Sequence, residues 1–190
     1  MSTTAPSPAP VSAGPAADSF RYSVVVPVFN EHEIIAEFCA KAVAHLPPNY
    51  EVLVCYDMDG RQLWKTELGT IDTGWFLDPS YQWGHASSPV IYKSTVIVQA
   101  DQARGSFLAA FNLSDGREVW RTGRADEVST WGTPTLLTGS KGDELVTNGT
   151  KIRGYDPASG KLLWTLAPNS EIAIGSPVVQ RDVVYVTGGY

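Results

Sequence analysis

YDPASGKLLWTL, residues Tyr155 to Leu166, is the stretch on which the fold is decided. It sets an aromatic residue before a short polar turn, a glycine within the turn, a basic residue after it, and then an aliphatic run reaching Trp164. The same order returns in FNLSDGREVWRT, Phe111 to Thr122, and in YDMDGRQLWKT, Tyr56 to Thr66. Gly116 and Gly160 lie 44 residues apart, and a second set of marks, Pro89, Pro134 and Pro177, follows at intervals of 45 and 43 residues. Self-similarity at a period in the low forties points to a repeated supersecondary unit rather than to one irregular domain.

Each period also has a readable interior. After Pro89 come VIY, a turn at Lys93-Ser94 and TVIVQA; after Pro177 come VVQ, a turn at Arg181-Asp182 and VVYVTGG. Both are hairpins of strand-forming residues. SFLAAFN or TKIRGYD then supplies a third strand. The turn containing Gly60, Gly116 or Gly160 leads to a fourth, which carries Trp64, Trp120 or Trp164. Glycine supplies positive φ at little steric cost. The indole offers a large apolar body to dock on the next unit.

Four antiparallel strands per period are one blade of a β-propeller. The expected fold is therefore mainly β, with about three blades of an incomplete propeller over residues 58–190. Glu51 to Leu68 supplies the last two strands of one blade, two full blades follow, and Ile174 to Tyr190 supplies two strands of another. Closed propellers have typically four to eight blades, so a stack of sheets is expected here rather than a ring.

The opening reads differently. Residues 1–18 are rich in Ala, Pro, Ser and Thr and read as a disordered tail. Tyr22 to Phe29 is a valine-rich strand ending near Pro27. Asn30 and Glu33 resemble a capping box, and an apolar face at helical spacing runs from Ile34 to Leu46 before Pro47 and Pro48. Tyr50 to Tyr56 is a second strand. Residues 19–57 are thus expected to form a β-α-β unit with parallel strands.

Two resemblances attach to these patterns. SVVVPVFNEHEIIAEF resembles the opening of family-2 glycosyltransferases, with a valine-rich strand, P-x-[FY]-N-E and a helix. The resemblance implies a vestigial nucleotide-binding role for Pro27, Asn30, Glu31 and Asp57. The metal-binding D-x-D and catalytic base of that family have no counterpart in place. Asp57-Met58-Asp59 spells D-x-D but falls in a repeat turn, directly after the second strand. The second resemblance, over residues 56–190, is to the pyrroloquinoline-quinone-like propeller repeat, whose turn is aromatic-Asp-x-x-[ST]-G-[KR]-x-x-W. It implies blade-packing roles for Gly60, Trp64, Gly116, Trp120, Gly160 and Trp164. Complete members include quinoprotein dehydrogenases and scaffolds without cofactor. VLVCYD serves both patterns, so the chain reads as chimera-like, joined near residue 57.

One interval departs from the repeat. The stretch from Gly60 to Pro89 is 11 residues longer than that from Gly116 to Pro134. The excess, around TIDTGWFLDPSYQWGH, gathers Trp75, Phe76, Tyr81, Trp83 and His85. It reads either as an aromatic cluster packed on a blade face or as a binding loop extended from a rigid frame.

The formal charge of −6 over 190 residues gives no basic patch for nucleic acid. No apolar run has membrane-spanning length. The start lacks the charge and apolar core of a signal peptide, which implies a cytoplasmic location. Cys39 and Cys55 are 16 residues apart, without metal-site or vicinal-disulfide spacing. Neither family's catalytic set is complete, so no catalytic residue, metal or cofactor is expected. The sequence favours a non-catalytic binding or scaffold module, with a protein partner or self-association through exposed blade edges. The alternatives are a glycosyltransferase relative keeping part of a nucleotide-sugar pocket, and a quinoprotein-type dehydrogenase fragment.

Overall fold

The computed structural model describes residues 22–26, 50–57, 61–75, 77–78, 80–81, 83–140 and 142–188. The tail over 1–18, the helix after Asn30, and Pro27, Asn30, Glu31, Gly60 and Phe76 lie outside them. The described residues are all-β, in four antiparallel sheets. The first sheet joins β1 (Tyr22–Val26), β2 (Tyr50–Tyr56) and β3 (Gln62–Thr70). The second runs in order through β4 (Val90–Tyr92), β5 (Thr95–Ala100), β6 (Phe107–Asn112) and β7 (Glu118–Gly123). The third repeats that meander with β8 (Thr135–Gly139), β9 (Gly142–Thr147), β10 (Ile152–Tyr155) and β11 (Leu162–Leu166). A last hairpin pairs β12 (Val178–Gln180) with β13 (Val183–Tyr185).

The two complete blades and the closing hairpin thus follow the sequence pattern. Their hairpin turns put Lys93 (φ 51°) and Arg181 (φ 54°) in the left-handed region, at the two places where a turn was read. The opening differs from its expectation. β1 pairs with β2 antiparallel, from Tyr22 opposite Tyr56 to Val26 opposite Val52. A parallel β-α-β unit is therefore not formed by these strands. The physical reason is the ladder already imposed by β3: β1 fills the open edge of β2 as the second strand of a blade does, continuing the same meander. The first sheet consequently has three strands rather than the two read from the repeat.

Burial follows the sheet order. The middle strands β2, β5 and β6 are almost wholly buried, whereas the outer strands β7 and β11 are largely exposed. β5 and β6 lie between two neighbouring sheets, the first and the third. Strand alternation divides β6 accordingly. Phe107, Ala109 and Phe111 pack with Leu53, Cys55 and Trp64 of the first sheet. Leu108 and Ala110 pack with Leu145 and Tyr155 of the third.

A repeated contact sets the spacing. Trp64 Nε1 donates to the Leu113 carbonyl (2.8 Å) and Thr66 Oγ1 to that of Gly116 (2.7 Å), both in the second sheet's turn. One blade on, Trp120 Nε1 donates to the Pro157 carbonyl (3.2 Å) and Thr122 Oγ1 to that of Gly160 (2.7 Å). Gly116 (φ 72°) and Gly160 (φ 71°) take conformations that favour glycine, and a Cβ on either would run into the preceding blade's indole. Trp164 is held differently. Its indole covers Gly154, directly opposite it in the register, and Nε1 donates to Glu144 Oε2 within the same sheet (2.5 Å).

One buried group sits uneasily in this frame. Glu51 on β2 is 1% exposed, and its Oε2 has no hydrogen-bond partner among the described residues. Burial pushes its carboxyl up from 4.5 to about 8. A carboxyl raised on folding lends its full stability below pH 4.5 and loses it as pH rises to about 8, because only the unfolded chain ionises in that window. Urea midpoints should therefore fall between pH 5 and pH 8, by roughly 2–4 kcal/mol of stability. Glu51→Gln should flatten that slope; an equal slope in the variant would refute the assignment.

Candidate functional site

The clearest break in the repeat lies between the second and third sheets. Aligned on their turn aromatics, Lys151, Arg153 and Tyr155 occupy the positions of Phe107, Ala109 and Phe111 one blade earlier. The earlier trio packs in an apolar core. The later one carries two cations into the same kind of interface. Arg153 is buried; its Nη1 lies 2.7 Å from Glu127 Oε2 and its Nη2 2.6 Å from Asp126 Oδ2. Lys151 Nζ reaches the same Asp126 oxygen at 2.6 Å.

The second sheet completes the network. Arg124, just past β7, is anchored by its backbone N–H on the Ser106 carbonyl (2.7 Å). Its guanidinium meets Glu127 Oε2 (3.1 Å) and Asp101 Oδ1 (3.2 Å). Asp101 Oδ2 accepts from Thr130 Oγ1 (2.5 Å) and Gln99 Nε2 (2.8 Å). Glu127 also accepts from the Thr150 N–H (2.7 Å), at a place where Gly149 leaves room for its carboxylate. Burial pushes Asp101 up to about 6 despite Arg124. Burial works against the Arg124 cation more than any single neighbour favours it, but Asp101, Tyr155 and Glu127 together outweigh burial and raise its pKa. The hydrogen bond from Lys151 holds Asp126 below its usual range.

A cavity of about 150 Å³ opens beside these groups, lined by Arg124, Asp126, Lys151, Arg153, Tyr155 and Thr165 among others. Burial raises the Tyr155 phenol, which favours its neutral form. Among the described residues, no group of three His, Cys, Asp or Glu side chains is placed to hold a metal ion.

The long interval of the first blade forms a second surface. Trp75 stacks on Trp83 (6.1 Å between centroids, 30°), Tyr81 meets Trp75 edge-on (6.4 Å), and Trp83 lies 5.0 Å from Trp131. The segment is tied down. Trp131 Nε1 donates to the Gly84 carbonyl (3.0 Å), Ser129 Oγ to that of Gly74 (3.1 Å), and the Ala103 N–H to that of Asp72 (2.7 Å). Trp83 remains 53% exposed and Tyr81 57%. Trp131 was absent from the sequence-derived set. Its signal was the Trp83-Gly84 pair, which recurs as Trp131-Gly132.

His85 does not join the exposed aromatics. It is buried, with Nε2 2.8 Å from the Gln99 carbonyl, and burial lowers its pKa. Asp57 occupies the first blade's turn, where its Oδ1 accepts from the Arg61 N–H (2.9 Å). Its repeat counterparts are Asn112 and Asp156, whose N–H groups bond across the turn to Arg117 and Lys161 as that of Asp57 does to Arg61. Of the residues expected to pack blades, Trp64, Gly116, Trp120 and Gly160 lie at the contacts between sheets, Trp164 lies within its own sheet, and Gly60 is outside the described set.

The sequence profile of the family described as outer membrane protein assembly factor BamB matches residues 40–190. The chain belongs to this BamB family. The match takes in the whole of β2, the strand shared by both resemblances, and every later element of the fold. The chain is similar to BamB from Moraxella catarrhalis, at 17% identity over 74% of this chain and 40% of that one, with a TM-score of 0.47. It is also similar to the quinohemoprotein alcohol dehydrogenase from Comamonas testosteroni, at 18% identity over 64% of this chain and 20% of that one, with a TM-score of 0.47. A europium-containing methanol dehydrogenase matches at 12% identity over 60% of this chain and 21% of that one, with a TM-score of 0.45. The chain therefore spans well under half of these structures. No curated protein matches it. Within the BamB-family frame, the ion network and the aromatic row are both departures from the repeat, on the end of the sheets where the connections between blades lie. No helix among the described residues is long and apolar enough to cross a membrane.

Proposed function

We propose that the chain is a non-catalytic binding module, and that it holds extended polypeptide segments on the row Trp75, Tyr81, Trp83 and Trp131. The observation that carries this reading is that Trp83 stays half exposed while held between two other indoles, stacked on Trp75 and tilted against Trp131. Rigid, partly desolvated aromatics are the usual anchors of protein interfaces. Their connecting loops are fixed to the neighbouring blade, so little conformational entropy is lost on binding. The family description, an assembly factor, fits a role in protein handling. The titratable groups behind the row are engaged otherwise: Asp101 and Glu127 in ion pairs, and His85 against a backbone carbonyl.

Extended peptides alternating aromatic and polar residues should quench tryptophan fluorescence saturably. Trp83→Ala should weaken them on the order of tenfold or more. Equal affinity in a folded Trp83→Ala protein would remove the row from the site.

Self-association is a second mode, favoured by the apolar side chains exposed on the last strands: Leu162, Leu166, Val178, Val183 and Tyr185. Large apolar side chains left exposed in this number favour association. Light scattering should show a mass that rises with concentration, and Leu166→Lys with Val178→Lys should return it to one chain. A single-chain mass for the unmodified protein at high micromolar concentration would contradict this mode.

A further inference from the structure

We infer that the cavity between the second and third sheets is a binding site for a small oxyanion, a phosphate or carboxylate group, held by Arg124, Lys151 and Arg153.

The lining is cationic. Three basic side chains face one carboxylate, Asp126, whereas Asp101 and Glu127, which hold the two guanidiniums, are not part of the lining. Arg124 is 2% exposed, and its Nη1 is buried without a hydrogen-bond partner among the described residues. An unsatisfied donor on a buried cation is costly, and negative charge added in the cavity offsets that cost through space rather than by a hydrogen bond to Nη1. The two arginines are already oriented. Glu127 Oε2 lies within hydrogen-bond distance of both, at 3.1 Å from Arg124 and 2.7 Å from Arg153. Neither guanidinium therefore has to be ordered by the ligand. The volume, about 150 Å³, is roughly ten times the minimum that admits one water, so a phosphate-sized group fits.

The repeat supplies an independent argument. Phe107 and Ala109 show that apolar residues fill these positions well one blade earlier. Replacing apolar packing with buried ion pairs is often neutral to destabilising. Stability alone therefore does not call for Lys151 and Arg153 here, and local departures of this kind gather at functional sites. The site shares no residue with the aromatic row.

The test is thermal unfolding of the full chain against inorganic phosphate and, separately, succinate, with sodium chloride holding ionic strength constant. The expected result is a saturable rise in midpoint with at least one of the two anions, and which anion acts identifies the source. Lys151 is partly exposed, and its partner Asp126 keeps Arg153, so Lys151→Ala should fold and bind the anion at least tenfold more weakly. Lys65→Ala, a surface control on β3, should bind as the unmodified protein does. Isothermal titration at one temperature gives the same comparison without relying on unfolding. No midpoint change with either anion, or an equal change in Lys151→Ala, would overturn the proposal and leave an adventitious ion only.

Discussion

The structure depends on one contact made twice: a tryptophan and the threonine two residues later reaching from the last strand of one sheet into the glycine turn of the next. Trp64 and Thr66 do this to the turn ending at Gly116, and Trp120 and Thr122 to the turn ending at Gly160. The contact needs both partners. The indole supplies apolar area and a donor. The turn must hold positive φ and leave the space that a Cβ would fill. Once made, it fixes the distance and rotation between sheets, and burial of β5 and β6 between the first and third sheets follows.

This contact also explains what could be read in advance. Turns and strands were legible because the glycine and the tryptophan cannot be exchanged freely, so their spacing survives in the sequence. The direction of β1 was not legible. A run such as YSVVV reports a buried strand but carries no mark of direction, and pairing was decided by the free edge of β2. The ion network escaped for another reason. Asp101, Arg124 and Glu127 are scattered singly among polar loop residues, where charges are ordinarily solvated, and Arg153 stands as a single charge on β10. Only setting the repeats in register, with Lys151 and Arg153 above Phe107 and Ala109, singles them out. The aromatics of the long interval were visible as a cluster, but not the partner, Trp131, that ties them to the following blade.

A frame built this way separates stability from function. The glycine turns and indoles hold the sheets together near one end. The long connections that carry Trp83, Trp131, Arg124 and Glu127 gather at the other. Residues there can leave the repeat without undoing the interlock, which is how a buried charge network and a half-exposed aromatic row coexist with well-packed apolar clusters.

The interlock itself is tested most directly by a double-mutant cycle of Trp64→Leu with Gly116→Ala, followed by urea unfolding. The account predicts that Gly116→Ala costs less in the Trp64→Leu background, because the methyl group then meets a smaller side chain, with a coupling of about 1–3 kcal/mol. Costs that add to within about 0.5 kcal/mol would show that the indole and the turn do not depend on one another, and would contradict the account.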